Sequence, residues 1–455
     1  MRLFHRGEPG YEEARVGPVF NQRRPERYPD AVLVVDGVDD VVAGVRLANE
    51  RGWTVAVRSG GHSWAVWSVR DGGLLIDLGA LHTITYDEAS GIAVAGPGTK
   101  GGGQLAPYLT SIGRAFPGGH CPTVGIGGYL LQGGQGWNGR AKGWAAESVV
   151  AVDVVTADGE LVCADATQNS DLYWAARGAG PGFPGIVVAF HLQTYPMLAH
   201  FWQDTWTFRL EDGEELIHVM HELLPRLDRR VEPVIAATRL PDVPLYDGVE
   251  HPGGTLLLVH TTVMADDEDE IRALLTVFAD SPLAGRALGH VQGPTTHAEE
   301  GVAQVAQNPE HHRYAVDCCW TNASADVLAP LLMRLWSELD TTHSFSIWYG
   351  WAPVRDLPDM AFSVEGNVYI STYTIYTDPA DDDRYRAWVH DRTADIARNG
   401  GVGVYLGDTD FTGRNDRFLS PEHYVRLEEI RAKRDPQRRF AAYLTIDETA
   451  LNVHG

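Results

Sequence analysis

The sequence predicts an α+β chain in two parts, and three observations carry that expectation. The chain opens on a strand–helix–strand pattern, and most of its 49 glycines fall before residue 197. After Pro196 the texture changes to amphipathic helices alternating with aromatic strands, a composition shift that marks a second domain.

The elements follow in order. Residues 31–35 (Ala-Val-Leu-Val-Val) form an apolar run that reads as a strand. Residues 38–50 place Val41, Val42, Val45, Leu47 and Ala48 at helical spacing and stop near Gly52. Residues 54–57 form a second strand, which leads into Arg58-Ser59-Gly60-Gly61-His62-Ser63. Short strands are expected at 74–76 and 92–94, and a hairpin at 149–162 turned by Asp158-Gly159. A helix at 171–176 and a strand at 186–194 complete the first part. In the second part, helices are expected at about 213–224, 266–280, 326–338 and 381–398, with aromatic strands at 344–351 and 368–376. A last helix at 421–433 carries Ser420 as N-cap, Pro421 at its first position and Glu422 in its first turn.

Composition narrows the partners. With 37 basic against 61 acidic residues the formal charge is −24, which disfavours nucleic acid and anionic membranes. No apolar run is long enough to span a bilayer, and the first thirty residues are too polar for a secretory leader. Four cysteines in 455 residues make no disulfide framework, so a reduced cytoplasm is the expected location. The pair His311-His312 lacks a third ligand at sensible spacing, and no metal is expected.

Two loops carry the chemistry. Arg58 to Ser63 holds His62 among small residues, and His120-Cys121-Pro122-Thr123-Val124-Gly125-Ile126-Gly127-Gly128 holds Cys121 in the same way. Small residues let backbone approach a ligand and turn N–H groups towards phosphate oxygens. Arg58 would add charge there, and Ser59 a hydroxyl. A nucleophile inside each loop suggests a cofactor held covalently. Gly180-Pro-Gly-Phe-Pro-Gly185 matches the spacing of a dinucleotide fingerprint. Its context is reversed, with helix before and strand after, so it reads as a turn into a strand that lines the cofactor, Val187 included.

At these residues the chain resembles the berberine-bridge-enzyme-like group of the vanillyl-alcohol-oxidase flavoproteins. The matching set also includes Val155-Thr-Ala-Asp-Gly159, Asp171 to Gly178, and the C-terminal helix followed by Asp435-Pro436. The resemblance implies a two-part PCMH-type FAD-binding domain (1–196, with 402–455 returning to it) and a substrate domain (197–401) with a sheet backed by helices. It implies FAD attached through His62 and Cys121, and contacts from Arg58, Ser59, Gly60, Gly61, Ser63, Thr123, Val124, Gly125, Gly127, Gly128 and Val187. A small residue at Val124 implies O2 as electron acceptor. The family's catalytic tyrosine falls in Tyr405-Leu-Gly407-Asp-Thr-Asp410, which has glycine where asparagine is usual. Tyr405, with Tyr373 or Tyr369, is the expected catalytic group, and Trp64, Gln135, Trp137 and Thr372 are the expected substrate-side residues. The implied activity is an FAD-dependent oxidase acting on an alcohol, sugar or secondary metabolite and forming H2O2, as a monomer or homodimer. A dehydrogenase or oxidative cyclase, and a non-catalytic flavin-binding redox protein, are the alternatives.

Overall fold

The computed structural model describes residues 1–240, 249–409, 411 and 413–444. Its first sheet has four strands in the order Arg2–His5, Ala31–Val34, Leu74–Asp77, Val55–Arg58; the last three run parallel. Parallel neighbours need a crossover, and the helix Val38–Arg51 supplies one. It buries Val41, Val45 and Ala48 against the sheet and stops at Gly52, whose positive φ of 66° suits a glycine C-cap. The second sheet has the order Ile84–Asp87, Ile92–Ala95, Ile186–Gln193, Val149–Val155, Leu161–Asp165, antiparallel throughout.

The third sheet is antiparallel with eight strands: Gly289–Pro294, His200–Arg209, Leu256–Ala265, Val231–Thr238, Phe345–Gly350, Val368–Tyr376, Arg313–Thr321 and Gly401–Gly403. Alternation along these strands sorts the side chains onto two faces. Ile235, Val259, Trp348 and Ile370 point to one face. They pack there on the helices Gly213–Leu223, Glu268–Ala279 and Ala325–Ser337 through Leu216, Leu275 and Trp336. Val234, His260, Tyr349 and Tyr369 alternate to the other face, towards the glycine-rich half.

The boundary expected after residue 401 falls inside the short strand Gly401–Gly403. Beyond it the chain crosses back. The helix Pro421–Arg434, capped by the Ser420 hydroxyl accepting from the His423 N–H, buries Tyr424, Leu427 and Ile430. The Ala441 N–H then donates to the Val55 carbonyl at 2.9 Å, at the edge of the first sheet. The helix His297–Gln307 was not expected from the sequence. It sits between the edge strand Gly289–Pro294 and the strand Arg313–Thr321 in the chain, with Thr296 as its N-cap.

Candidate functional site: a cavity between the glycine loops and the large sheet

The two loops meet. Gly60 and Gly125 pack so closely that a Cβ on Gly60 would lie 2.6 Å from the Gly125 nitrogen, and one on Gly127 would lie 2.3 Å from the Ser59 hydroxyl. The glycines therefore permit loop-to-loop contact as well as close approach of a ligand. That contact brings the nucleophiles together. His62 Nε2 lies 3.0 Å from the Thr123 hydroxyl, which lies 3.5 Å from Cys121 Sγ. His62 also stacks on Phe20 at 4.4 Å. Burial, helped by the Lys100 charge, pushes His62 down to about 3, so its imidazole is neutral near pH 7.

Both loops open onto one cavity of about 900 Å3, at the upper end of small-molecule sites. One wall is strand Val55–Arg58, the loop that follows it, and Val187 with Phe440; the opposite wall is the large sheet. Near Tyr369 and Tyr373 that sheet meets the turn Leu406–Asp408. The Asp408 carboxylate is half-buried there, at the cavity wall; it accepts from the Tyr369 hydroxyl at 2.7 Å and from the Trp64 indole N–H at 3.1 Å. Burial pushes Asp408 above the usual carboxylate range, while hydrogen bonds from Tyr369, Trp64 and Tyr373 pull it back. Burial and the charge of Asp408 push Tyr369, Tyr373 and Tyr405 upwards. The Tyr405 hydroxyl accepts from the Gln135 backbone N–H at 3.4 Å.

FAD fits this arrangement. The glycine loops present backbone rather than side chains to a phosphate-bearing ligand, and imidazole and thiolate are the nucleophiles that can add to a flavin. The buried amide nitrogen of Gln135, in a residue that lines the cavity, has no hydrogen-bond partner among the described residues, so a donor is left for a ligand. Ser59, Gly60, Gly61, Ser63, Val124, Gly125, Gly127 and Gly128 line the same space and would hold the cofactor.

Comparison with known proteins agrees. Residues 29–165 match the FAD binding domain family. The BBE-like 1 protein of Physcomitrella patens superposes with a TM-score of 0.81 at 20% identity, covering 98% of this chain and 97% of that one. The xylooligosaccharide oxidase of Myceliophthora thermophila C1, solved with xylobiose, gives 0.80 at 22%, covering 97% and 95%. The FAD-linked oxidoreductase nodO of Hypoxylon pulicicidum is 35% identical over 439 residues, 96% of this chain and 95% of its own length. The chain belongs to the FAD-linked oxidoreductases.

Most of the residues expected for such an oxidoreductase come together here, and some do not. Trp64, Gln135, Trp137, Tyr373 and Tyr405 line the cavity. Tyr369 reaches it through Asp408, and Thr123 through His62. Arg58 borders the cavity, but its guanidinium is committed elsewhere: Nε donates to Asp77 at 2.9 Å, and the other nitrogens donate to Asp77 and to the Ala14 and Arg15 carbonyls. Its charge is neutralised inside the wall, which corrects the expectation that it adds charge for a phosphate. Thr372 is a second correction. It alternates to the helix face with Ile370, is fully buried, and shares a hydrogen bond with the Ser346 hydroxyl at 2.9 Å. Strand periodicity places it away from the cavity, so it is not a substrate-side residue. Asp410 lies outside the described residues.

Sequence reasoning missed Asp408, Phe20, His120, His260 and Glu300. For Asp408 a signal existed, a second acid inside the segment 405–410, three residues after Tyr405.

Proposed function

We propose that this oxidoreductase is an oxidase that converts a hydroxyl-bearing carbon to a carbonyl, with O2 as electron acceptor and H2O2 as product. The observation that carries the reading is the Asp408 carboxylate at the cavity wall, holding the Tyr369 hydroxyl and the Trp64 indole. FAD, when bound, would supply the two-electron acceptor that takes the substrate hydride and the route from it to O2. His62 and Cys121, linked through Thr123, are the two attachment points of the reading.

The protein's own part is the proton. A tyrosine raised by burial is a poor base by itself, because its ionised form is disfavoured. A carboxylate raised towards neutrality is a good one. The Asp408 carboxylate, which lines the cavity, therefore accepts the proton of the substrate hydroxyl, and Tyr369, buried behind it, holds that carboxylate with a hydrogen bond of 2.7 Å. Tyr405 and Tyr373 orient the substrate, and Trp64 holds the second carboxylate oxygen. Bond by bond, the substrate loses one O–H and one C–H and gains a C=O, and O2 takes up two electrons and two protons. The small Val124 on the cavity wall leaves room for O2. The solved relative named as a xylooligosaccharide oxidase supports the choice of oxidase.

The test is anaerobic flavin reduction in Asp408→Asn. The expected outcome is a loss of roughly 10²–10⁴-fold in reduction rate, the usual range for a general base, with the resting flavin spectrum unchanged. Reduction at the wild-type rate removes Asp408 from the reaction. Stoichiometric peroxide on aerobic turnover distinguishes an oxidase from a dehydrogenase, which would yield none. Protein precipitated with acid stays yellow if the flavin is covalently held; colour in the supernatant rejects both attachment points.

A further inference from the structure

Far from Asp408 the cavity holds a second polar cluster that the reaction does not use. His260 Nδ1 lies 2.8 Å from the Thr205 hydroxyl, and its Nε2 lies 3.3 Å from Glu300. The other Glu300 oxygen accepts from the Thr295 hydroxyl at 2.8 Å. His120, with its ring edge-on to Trp137 at 4.3 Å, completes the group and makes no hydrogen bond to a described residue. Burial pushes the Glu300 carboxyl up, and hydrogen bonding from His260 and Thr295 more than reverses this, so it is ionised. His120, Thr205, His260 and Glu300 all line the cavity. Among the described residues no three such side chains converge on a metal ion.

Strand register gives the distance between the two ends. His260 pairs with Val234, Val234 with Tyr349, and Tyr349 with Tyr369. Paired residues share a face, so these four side chains form one row across the sheet. Three strand spacings separate His260 from Tyr369, about 14 Å. The middle of the row offers no free polar group. Val234 is apolar, and the Tyr349 hydroxyl donates to Glu232 at 3.0 Å, a carboxylate already accepting from the Asn138 and Arg140 N–H groups.

We infer that the His260–Glu300 end is a binding site for a hydroxyl or carbonyl group of the substrate. The substrate is then an elongated, mostly apolar molecule whose polar group lies about 14 Å, three strand spacings, from the carbon oxidised. This deepens the proposed function and rests on Tyr369 and Asp408 marking the reacting end.

Straight-chain terminal diols measure the span, because about ten to twelve carbons cover it at roughly 1.2 Å per bond. The six-, ten- and fourteen-carbon diols and the ten-carbon mono-alcohol are titrated anaerobically into the holoprotein, and binding is read from the flavin absorbance. The ten-carbon diol is expected to bind about tenfold tighter than the mono-alcohol, one charge-assisted hydrogen bond, and tighter than the shorter diol. In His260→Ala and Glu300→Gln that advantage falls to about twofold or less on the same scale, while the mono-alcohol binds as before. Equal binding of diol and mono-alcohol, no binding of either, or an advantage that survives both substitutions overturns the site. Binding is read without turnover, so these outcomes are separate from the fate of Asp408→Asn, which judges the oxidase reading alone.

Discussion

At Gly407 the absence of a side chain shapes the site. A Cβ there would lie 2.4 Å from the Tyr405 ring, so the glycine lets Tyr405 fold over its own turn. Gly407→Asn, which restores the usual family residue, is expected to displace the tyrosine and slow flavin reduction at least tenfold, since misplacement of about 1 Å is costly to catalysis. Wild-type rates in that variant would show that the ring position does not matter. His120 allows a pH test. Burial pushes it down to about 4, with the charge of His260 adding to the effect, against about 6.5 in an unfolded chain. The unfolded state therefore binds more protons between those values, and stability is lost as pH falls from about 6.5 towards 4. His120→Gln should flatten the fall in melting temperature from pH 7 to 4.5. An identical slope would mean that His120 is protonated in the fold. The histidine and cysteine loops were legible because their chemistry is local. Asp408 was not, because its role depends on burial against Tyr369 and Trp64, which are far away in sequence.

Among elements, the segment after Tyr405 depends on a buried anchor. Asp317, fully buried on strand Arg313–Thr321, accepts from Arg414 Nε at 2.9 Å and lies 3.1 Å from His390 Nδ1. The pair ties the stretch following Asp408 to the large sheet. Asp317→Asn weakens that tie while keeping its shape. Breaking a buried pair costs about 3–5 kcal/mol, so a fall in melting temperature of several degrees is expected, with slower flavin reduction and an unchanged substrate KM. A lower rate without loss of stability would point to a direct chemical role instead. Helices with a clean apolar stripe were readable, and so were strands with alternating residues. The helix His297–Gln307 was not, because its polarity is inverted: Val302 is 72% exposed and Val305 42%, while Glu300 is 6% exposed. Facing a cavity rather than a core, it buries its polar side. Thr372 failed for a related reason: a one-residue shift in register decides the face, and sequence does not fix it.

For the whole molecule, the cofactor site is assembled from segments distant in sequence: residues 55–64, 119–137, 185–187, 405–408 and 440–441 all border one cavity. Ligand that binds only the folded state stabilises it, and a covalently held one does so without dissociating. Protein produced without riboflavin is therefore expected to melt well below the FAD-bound form and to gain stability on adding FAD. Equal melting temperatures would mean that the fold does not depend on the cofactor.

The inverted helix follows strand Gly289–Pro294 in the chain, one of the two edge strands of the eight, which pairs on one side only. This helix touches the cysteine loop, since a Cβ on Gly301 would lie 3.7 Å from Pro122 and the charge of Glu300 acts on His120. Changing the cavity-facing residues of 289–307 while keeping His297 and Gly301, which pack on Trp137 and Pro122, would thus alter what the far end of the cavity recognises and leave the packing of the cysteine loop in place. A lineage, or a protein engineer, could redirect such an enzyme to new molecules from the rim of its sheet.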